Sequence, residues 1–286
     1  MSLNQTDPKT RVETVRIRPV LKWAGGKTQL LPQLMASMPS TYEKYLEPFI
    51  GGGALFFNLA AENSVIGDTN AELINLYKCL VASADEISEV LNEMPVTSED
   101  FYRVRANDWR NDDPVVAAAR TIYLNRLCFN GLYRVNKKGQ FNVPFGNYKK
   151  PNFPSKESLM FAGKILSNAT IVESDYANLL KKYASKGDLI FLDPPYVPIG
   201  KYSDFNRYGA KQFIGADHEE LAAEVRRLAD MGCFVMLTNS NHPSVHELFG
   251  DFEIRILKTR RNINSSGSGR NGEDVLVIAN GLVSKK

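Results

Sequence analysis

The sequence Asp193-Pro194-Pro195-Tyr196 combines a carboxylate, two rigid turns and an aromatic ring directly after the apolar run Leu189–Leu192. The run predicts a buried strand. It must end there, because prolines donate no hydrogen bonds to a sheet. Open α/β sheets bind ligands at the carboxyl ends of their strands. We therefore predict a site for a flat ring bearing an amine, with Asp193 accepting from the amine and Tyr196 stacking on the ring. An ordinary strand-ending turn is the alternative.

A glycine turn and an acid indicate a second part of the same site. Gly51-Gly52-Gly53 follows the short strand predicted at residues 45–49 and precedes a helix. Glycines permit a tight turn and close approach of a ligand to the backbone. Asp68 ends the next predicted strand, where nucleoside-binding sheets carry an acid for the ribose hydroxyls. The pair favours a nucleoside-binding site.

The segment Gly25-Gly26-Lys27-Thr28 resembles the end of a phosphate-binding P-loop. Such a loop requires a glycine five residues before Gly26 and a strand just upstream, but the chain has Leu21 there. The sequence therefore argues against an NTPase. Trp23, among glycines and lysines, is instead suited to stacking or cation–π contact with a ligand ring.

The stretch from Arg120 to Lys150 holds seven Lys and Arg residues and no Asp or Glu. Six aromatic residues are interleaved with these cations. Cations neutralise phosphates, and aromatic rings stack on bases or wedge between them. The pattern favours a nucleic-acid contact over a solvated charged face.

Composition excludes several protein classes. The chain has 286 residues, 43% of them hydrophobic, and a formal net charge of +3. We find neither a secretory leader nor a run of the roughly 20 apolar residues that a membrane span requires, so we expect no membrane association. Three isolated cysteines predict no disulfide framework and fit a reducing cytoplasm. His242 and His246 lack an evident third ligand, so we expect no metal site.

Strands alternate with helices along the chain, which predicts an α/β sheet. We expect a flexible N-terminus at residues 1–18 and a catalytic domain formed by residues 19–70 and 166–286. Residues 71–165 are predicted to be an inserted domain, with a β-hairpin within residues 129–150. Residues 200–216 are predicted to form a mobile loop, and the Ser/Gly run 265–269 a flexible segment.

Together these motifs resemble the Dam-type DNA adenine-N6 methyltransferases of the D12 class, including GATC-specific enzymes of restriction–modification systems. The resemblance runs from about residue 20 to about residue 280. It rests on five segments, which are Leu21–Lys27, Glu47–Gly53, Phe129–Arg134, Phe141–Gly146 and Asp193–Tyr196. It implies a Rossmann-like methyltransferase sheet with an inserted, mostly helical DNA-recognition domain. It also implies methyl transfer from S-adenosylmethionine to the N6 amine of a flipped adenine in double-stranded DNA, within GATC.

The resemblance assigns a group of residues to the pocket of the methyl donor: Trp23, Lys27, Phe49, Gly51, Gly53, Asp68, Asp175, Tyr176 and Asp193. Asp193, the Pro194 carbonyl and Tyr196 would hold the flipped adenine. The donor is a sulfonium that is already activated, so no metal is implied. For Asp175 and Tyr176, a helix N-cap and a core aromatic are an equally weighted alternative.

The resemblance also assigns eight residues to DNA: Lys22, Arg126, Phe129, Asn130, Leu132, Arg134, Lys137 and Pro144. Lys22, Leu132, Arg134 and Pro144 would contact the recognition bases. Phe129 and Asn130 would fill the space that the flipped base leaves. Asn147 stands where close relatives often carry Arg, which implies one phosphate or base contact fewer and weakens the GATC assignment.

Two other functions remain as alternatives. One is methylation of another amine, in RNA or on a protein glutamine, although protein-glutamine enzymes typically have Asn in place of Asp193 and lack the basic insert. The other is a DNA-binding regulator that has lost catalysis, against which the intact Asp193–Tyr196 segment argues. We expect a monomer in the cytoplasm, associated with the nucleoid. A cognate restriction endonuclease that acts on the same site without direct binding is left open.

Overall fold

A seven-stranded sheet forms the centre of the computed structural model, which describes residues 19–23, 25–136, 138–198, 213–260 and 271–280. Its strands are β1 (Tyr45–Glu47), β2 (Ser64–Asp68), β3 (Ala169–Glu173), β4 (Leu189–Leu192), β5 (Phe234–Ser240), β6 (Glu253–Arg260) and β7 (Asn271–Asn280). The strand order is β3-β2-β1-β4-β5-β7-β6. The first five strands are parallel, and β7 lies antiparallel between β5 and β6. The predicted α/β sheet is confirmed.

Helices cover both faces of the sheet. The described helices are α1 (Leu31–Met35), α2 (Ala54–Leu59), α3 (Ala71–Glu93), α4 (Ser98–Ala106), α5 (Pro114–Leu127), α6 (Lys156–Leu166), α7 (Tyr176–Tyr183), α8 (Gly215–Met231) and α9 (Pro243–Leu248). Several begin at side-chain caps, as where Asn70 accepts from the backbone of Leu73 at the start of α3. Helix α5 begins at Pro114, whose fixed φ suits the first turn of a helix.

Alternation along the strands divides the core into two clusters. Tyr45 and Phe191 face a cluster that contains residues of α2, α3, α5 and α6. Leu46 and Ile190 face the opposite cluster, which contains residues of α7, α8 and α9. Successive strand residues point to opposite faces, so a sheet buried on both faces has continuous apolar strands. The result is a three-layer α/β arrangement.

The segment between β2 and β3 contains α3, α4, α5 and α6. Helix α3 contacts both the sheet and α5, and one buried cluster runs from Tyr45 in β1 to Tyr123 in α5. The division into a catalytic domain and an inserted domain stays a prediction. So does the β-hairpin, where the chain has two isolated antiparallel bridges, Cys128–Phe145 and Val135–Phe141.

Some predicted features lie outside the described residues, namely residues 1–18, Lys137, the Ser/Gly run 265–269 and residues 200–212 of the predicted loop. The predicted loop 200–216 extends two residues too far, because α8 already begins at Gly215. There Asp217 accepts from the backbone N–H of Ile214. In the described part of the chain, every helix is too short or too polar to cross a bilayer.

Candidate active site

The strand order reverses beside β1, because β2 and β3 lie on one side of it and β4 and β5 on the other. Such a reversal leaves a crevice at the carboxyl ends of the strands. Here it is a cleft of about 1360 Å³. All predicted donor-pocket and catalytic residues line it, which are Trp23, Lys27, Phe49, Gly51, Gly53, Asp68, Asp175, Tyr176, Asp193, Pro194 and Tyr196. Lys22 and Arg126 also line the cleft, at its edge toward α5.

Asp193 follows the last residue of β4 and is held at both carboxylate oxygens. Lys27 Nζ donates to Oδ2 over 2.7 Å, and Thr238 Oγ1 donates to Oδ1 over 2.7 Å. Lys27 is 5% exposed, and its Nζ also lies 4.9 Å from the centroid of the Tyr196 ring. The carboxylate therefore has a fixed orientation, with its remaining lone pairs available to a ligand.

The chain after Tyr196 is fastened to β5 and β7. The Tyr196 hydroxyl donates to Asp274 Oδ2 over 3.4 Å. The Val197 N–H donates to Asn239 Oδ1 over 3.0 Å, and Ser240 Oγ donates to the Val197 carbonyl over 2.7 Å. These contacts fix the turn on the side away from β4. Sequence reasoning missed Thr238, Asn239, Ser240 and Asp274; the signal for the first three was a run of polar residues ending a buried strand.

Asp68 ends β2 and orders the glycine turn. Its carboxylate accepts from the Gly51 N–H over 3.2 Å and from the Asn70 N–H over 3.0 Å. Burial is the main cause that raises the pKa of Asp68 to about 6. Gly51 has φ +44°, and a Cβ there would lie 2.7 Å from Trp23 Nε1. Only glycine suits this position, because both the conformation and the approach of Trp23 exclude a side chain.

Two aromatic rings form the far end of the cleft. Phe49 and Tyr176 stack with centroids 5.3 Å apart and an interplanar angle of 27°. Asp175 caps α7 by accepting from the Asn178 N–H over 2.9 Å. The N-cap interpretation of Asp175 is thus confirmed, and both Asp175 and Tyr176 also line the cleft.

Glu47 is a buried carboxyl group beside Asp193 that sequence reasoning did not single out. The Tyr45 hydroxyl donates to Glu47 Oε2 over 2.6 Å. Burial, aided by the charge of Asp193, raises the pKa of Glu47 to about 8. The raised pKa favours the protonated form of Glu47, which lies beside Asp193. An acid inside an apolar strand was the available signal.

Four of the predicted DNA-contacting residues, Lys22, Phe129, Asn130 and Pro144, lie together. The Phe129 side chain is 51% exposed, and its N–H donates to the Pro144 carbonyl over 2.9 Å. The Asn130 N–H donates to the Tyr148 hydroxyl over 3.0 Å, and Lys22 Nζ lies 5.1 Å from the centroid of the Tyr148 ring. About half of the Phe129 side chain is therefore accessible to a ligand.

The side chains of residues 132–135 alternate between more exposed and buried positions. Arg134 is exposed and donates from Nε to Asn142 Oδ1 over 2.7 Å, whereas Tyr133 is buried. Leu132 is half-buried against the core. Asn147 has φ +57°, a left-handed conformation that Asn tolerates better than most residues.

Arg126 has a structural contact that its predicted role did not include. Its Nε donates to the Val20 carbonyl over 3.2 Å, and burial lowers the pKa of its guanidinium. Its contact with DNA stays a prediction. Among the described residues, no group of three His, Cys, Asp or Glu side chains is placed to hold a metal ion.

Comparison with known proteins identifies relatives along nearly the whole chain. The model of the D12 class N6 adenine-specific DNA methyltransferase matches residues 23–263. The chain is 39% identical over 274 residues to the Type II methyltransferase M1.LlaDCHI of Lactococcus lactis subsp. cremoris, covering 93% of this chain and 96% of the relative. It is 36% identical over 278 residues to the Type II methyltransferase M.MjaIII of Methanocaldococcus jannaschii, covering 90% and 96%. It is 34% identical over 264 residues to the DNA adenine methylase of Escherichia coli K12, covering 91% and 94%.

Proposed function

This chain belongs to the D12 class of N6 adenine-specific DNA methyltransferases, and we propose that it methylates the adenine of GATC after flipping that base out of the duplex. The family implies the use of S-adenosylmethionine. One observation carries the proposal: Asp193 and Tyr196 share a single cleft with Asp68 and Tyr176. An amine-binding turn and a nucleoside-binding acid thus face the same volume, as a transfer between two adenine-containing molecules requires.

The residues of the cleft fit S-adenosylmethionine. The Asp68 carboxylate would accept from the ribose hydroxyls, and the Phe49–Tyr176 pair presents aromatic surface to the adenine ring. Asn70 Nδ2 is buried in the cleft without a protein acceptor, so it can donate to a ligand. When bound, the donor would supply a methyl group already activated on a sulfonium.

The chemistry of the target amine would depend on position and charge. The Asp193 carboxylate and the Pro194 carbonyl would accept from the two N6 hydrogens, which orients the nitrogen lone pair away from the turn. Lys27 and Thr238 would keep the carboxylate in that orientation. Positive charge that develops on the nitrogen is favoured by these acceptors. The proton leaves nitrogen after the transfer, so no general base is required.

Tyr196 would stack on the flipped adenine, while Phe129 and Asn130 would fill the space in the duplex. Unstacking costs a few kcal/mol, which stacking and edge hydrogen bonds in the pocket offset. Arg134 would read a guanine in the major groove, and Leu132 would contact a thymine methyl group. The exposed Phe129 ring supports this proposal, because a solvent-facing ring is suited to stacking on bases.

We further propose a monomer that acts in the cytoplasm on nucleoid DNA. Pairing with a restriction endonuclease that acts on the same site, without direct binding, is supported by two relatives that are named Type II methyltransferases. The alternative is an enzyme that acts alone.

The proposal is tested with labelled S-adenosylmethionine and two matched duplexes. One duplex holds a single GATC, and the other holds GTTC at the same place. We expect label in the first duplex alone, on the adenine, when the modified positions are sequenced. Equal labelling of both duplexes would refute the GATC assignment. Label in neither, with donor binding intact by calorimetry, would likewise refute GATC as the recognition sequence.

A further inference from the structure

Tyr133 joins the two halves of the site. It is buried, and its ring stacks on that of Trp23 with centroids 5.0 Å apart and an interplanar angle of 19°. Its chain neighbours Leu132 and Arg134 are the residues proposed to read bases. The two residues are adjacent in the chain, so a backbone shift that carries Arg134 toward a base would also move Tyr133.

Trp23, which stacks on Tyr133, also packs against the glycine turn of the donor cleft. A Cβ at Gly51 would lie 2.7 Å from Trp23 Nε1, and a Cβ at Gly52 would lie 2.7 Å from Trp23 Cβ. The indole therefore packs directly on the turn whose Gly51 N–H donates to Asp68. Displacement of Trp23 changes the surface against which the donor binds.

The Tyr133 hydroxyl makes a second connection. Its single proton is donated to Glu72 Oε2 over 2.9 Å, and Asn70 Oδ1 lies 3.3 Å from the same hydroxyl. Glu72 is 4% exposed and forms an ion pair with Arg120. The Asn70 N–H donates to Asp68 Oδ1. The hydroxyl thus lies between the buried Glu72–Arg120 ion pair and Asn70, whose backbone N–H donates to the acid proposed to bind the donor's ribose.

We propose that Tyr133 is a positioning residue that couples the reading of the recognition bases by Leu132 and Arg134 to binding of the methyl donor at Trp23 and Asp68. The inference rests on the proposed function. Its consequence is reciprocal: cognate DNA tightens donor binding, and donor tightens DNA binding by the same factor. Transfer to incorrect sites is then limited by weaker donor binding as well as by weaker DNA binding.

The test compares two variants, each of which loses one tyrosine hydroxyl group. Tyr133→Phe removes the hydroxyl that bonds to Glu72 and Asn70 and keeps the ring. Tyr123→Phe is the matched control, because the buried Tyr123 hydroxyl donates to the Pro95 carbonyl over 2.6 Å, away from the cleft. Calorimetry gives the donor Kd of each protein with and without a duplex that contains GATC. The ratio of the two values is the coupling factor.

We expect a wild-type coupling factor of about 5 to 150, the usual range for linked sites. Tyr133→Phe should bring the factor close to one, and Tyr123→Phe should retain the wild-type factor. A merely structural role would lower the stability of Tyr133→Phe and leave its factor unchanged, which would overturn the proposal. So would a wild-type factor of one. A wild-type protein that binds no donor at all would overturn the proposed function instead.

A spectroscopic readout tests the ring itself. The chain has two tryptophans, so in a Trp109→Phe background the emission reports Trp23 alone. Cognate duplex without donor should shift that emission, and Tyr133→Leu, which lacks the stacked ring, should lose most of the shift. An unchanged shift in Tyr133→Leu would contradict the proposed route through the stack.

Discussion

Lys27 Nζ and Asp193 Oδ2 form a 2.7 Å ion pair between residues 166 positions apart in the chain. The side chains are 6% and 22% exposed, respectively. An ion pair this well buried is costly to break, because the remaining charge loses both its partner and its water. The pair connects the segment before β1 to the turn after β4, and both segments line the cleft.

The first prediction concerns Asp193. Asp193→Ala should lower the rate of methyl transfer by more than about 100-fold, because the amine loses the group that orients it. DNA binding should persist. Single-turnover transfer and fluorescence anisotropy with labelled duplex measure the two properties.

Because Lys27 loses its ion-pair partner in Asp193→Ala, thermal unfolding is measured as well, to show that the variant is folded. Asp251→Ala is the control, because Asp251 forms a solvent-exposed ion pair with Arg226 and should leave transfer unchanged. Full activity of folded Asp193→Ala would refute the role assigned to this carboxylate.

The second prediction concerns pH and Asp68. Burial raises the pKa of Asp68 to about 6, so protonation begins to remove its charge as the pH falls through 6. The ionised carboxylate is the stronger acceptor for ribose hydroxyls. The donor Kd should therefore rise as the pH falls from 7.5 to 5, and Asp68→Asn should bind weakly with a flat profile. A wild-type Kd that is independent of pH would count against this contact.

The third prediction concerns Glu47, whose pKa is raised to about 8 by burial. The folded state binds this proton more tightly than the unfolded state, so the favourable contribution is present at low pH and is lost as the pH rises toward 8. The slope is at most about 1.4 kcal/mol per pH unit. Glu47→Gln, which mimics the protonated acid, should gain stability over wild type as the pH rises from 5 to 8 in urea unfolding. Parallel profiles for the two proteins would show that Glu47 is ionised when buried.

The fourth prediction concerns site choice. Arg134→Ala should lower the discrimination between GATC and a one-base variant by roughly 1–3 kcal/mol, because it removes a contact to a base edge. The measurement is the ratio of kcat/KM for the two duplexes. Arg227→Ala removes the same charge from α8, where Arg227 pairs with Glu224, and should leave the ratio unchanged. Equal ratios for both variants would refute base reading by Arg134.

The fifth prediction concerns base flipping. Phe129→Ala should weaken the flipped complex by about 1–3 kcal/mol, the usual value of one base–aromatic stack. A duplex with 2-aminopurine at the target adenine reports flipping by its fluorescence. Ile256→Ala is the control, because Ile256 is similarly exposed, at 54%, on β6. Undiminished fluorescence with Phe129→Ala would mean that another side chain fills the gap.

Local patterns were sufficient for much of the fold. The bounds of β4 follow from its apolar run, and its end follows from the two prolines after it. These signals lie within a few residues of the feature they determine, so the sequence alone carries them. The glycine turn and Asp68 were predictable for the same reason. Helices α1 and α4 were not anticipated, because short helices lack a long periodic pattern.

The sequence by itself determined which residues could bind an amine, a nucleoside and DNA, since residue type and local spacing carry that information. Only the tertiary structure decided which of them meet. The Lys27–Asp193 ion pair, the Trp23–Tyr133 stack and the insertion of β7 between β5 and β6 all join distant segments. Such contacts arise from packing of the whole chain around one sheet, and local periodicity does not predict them.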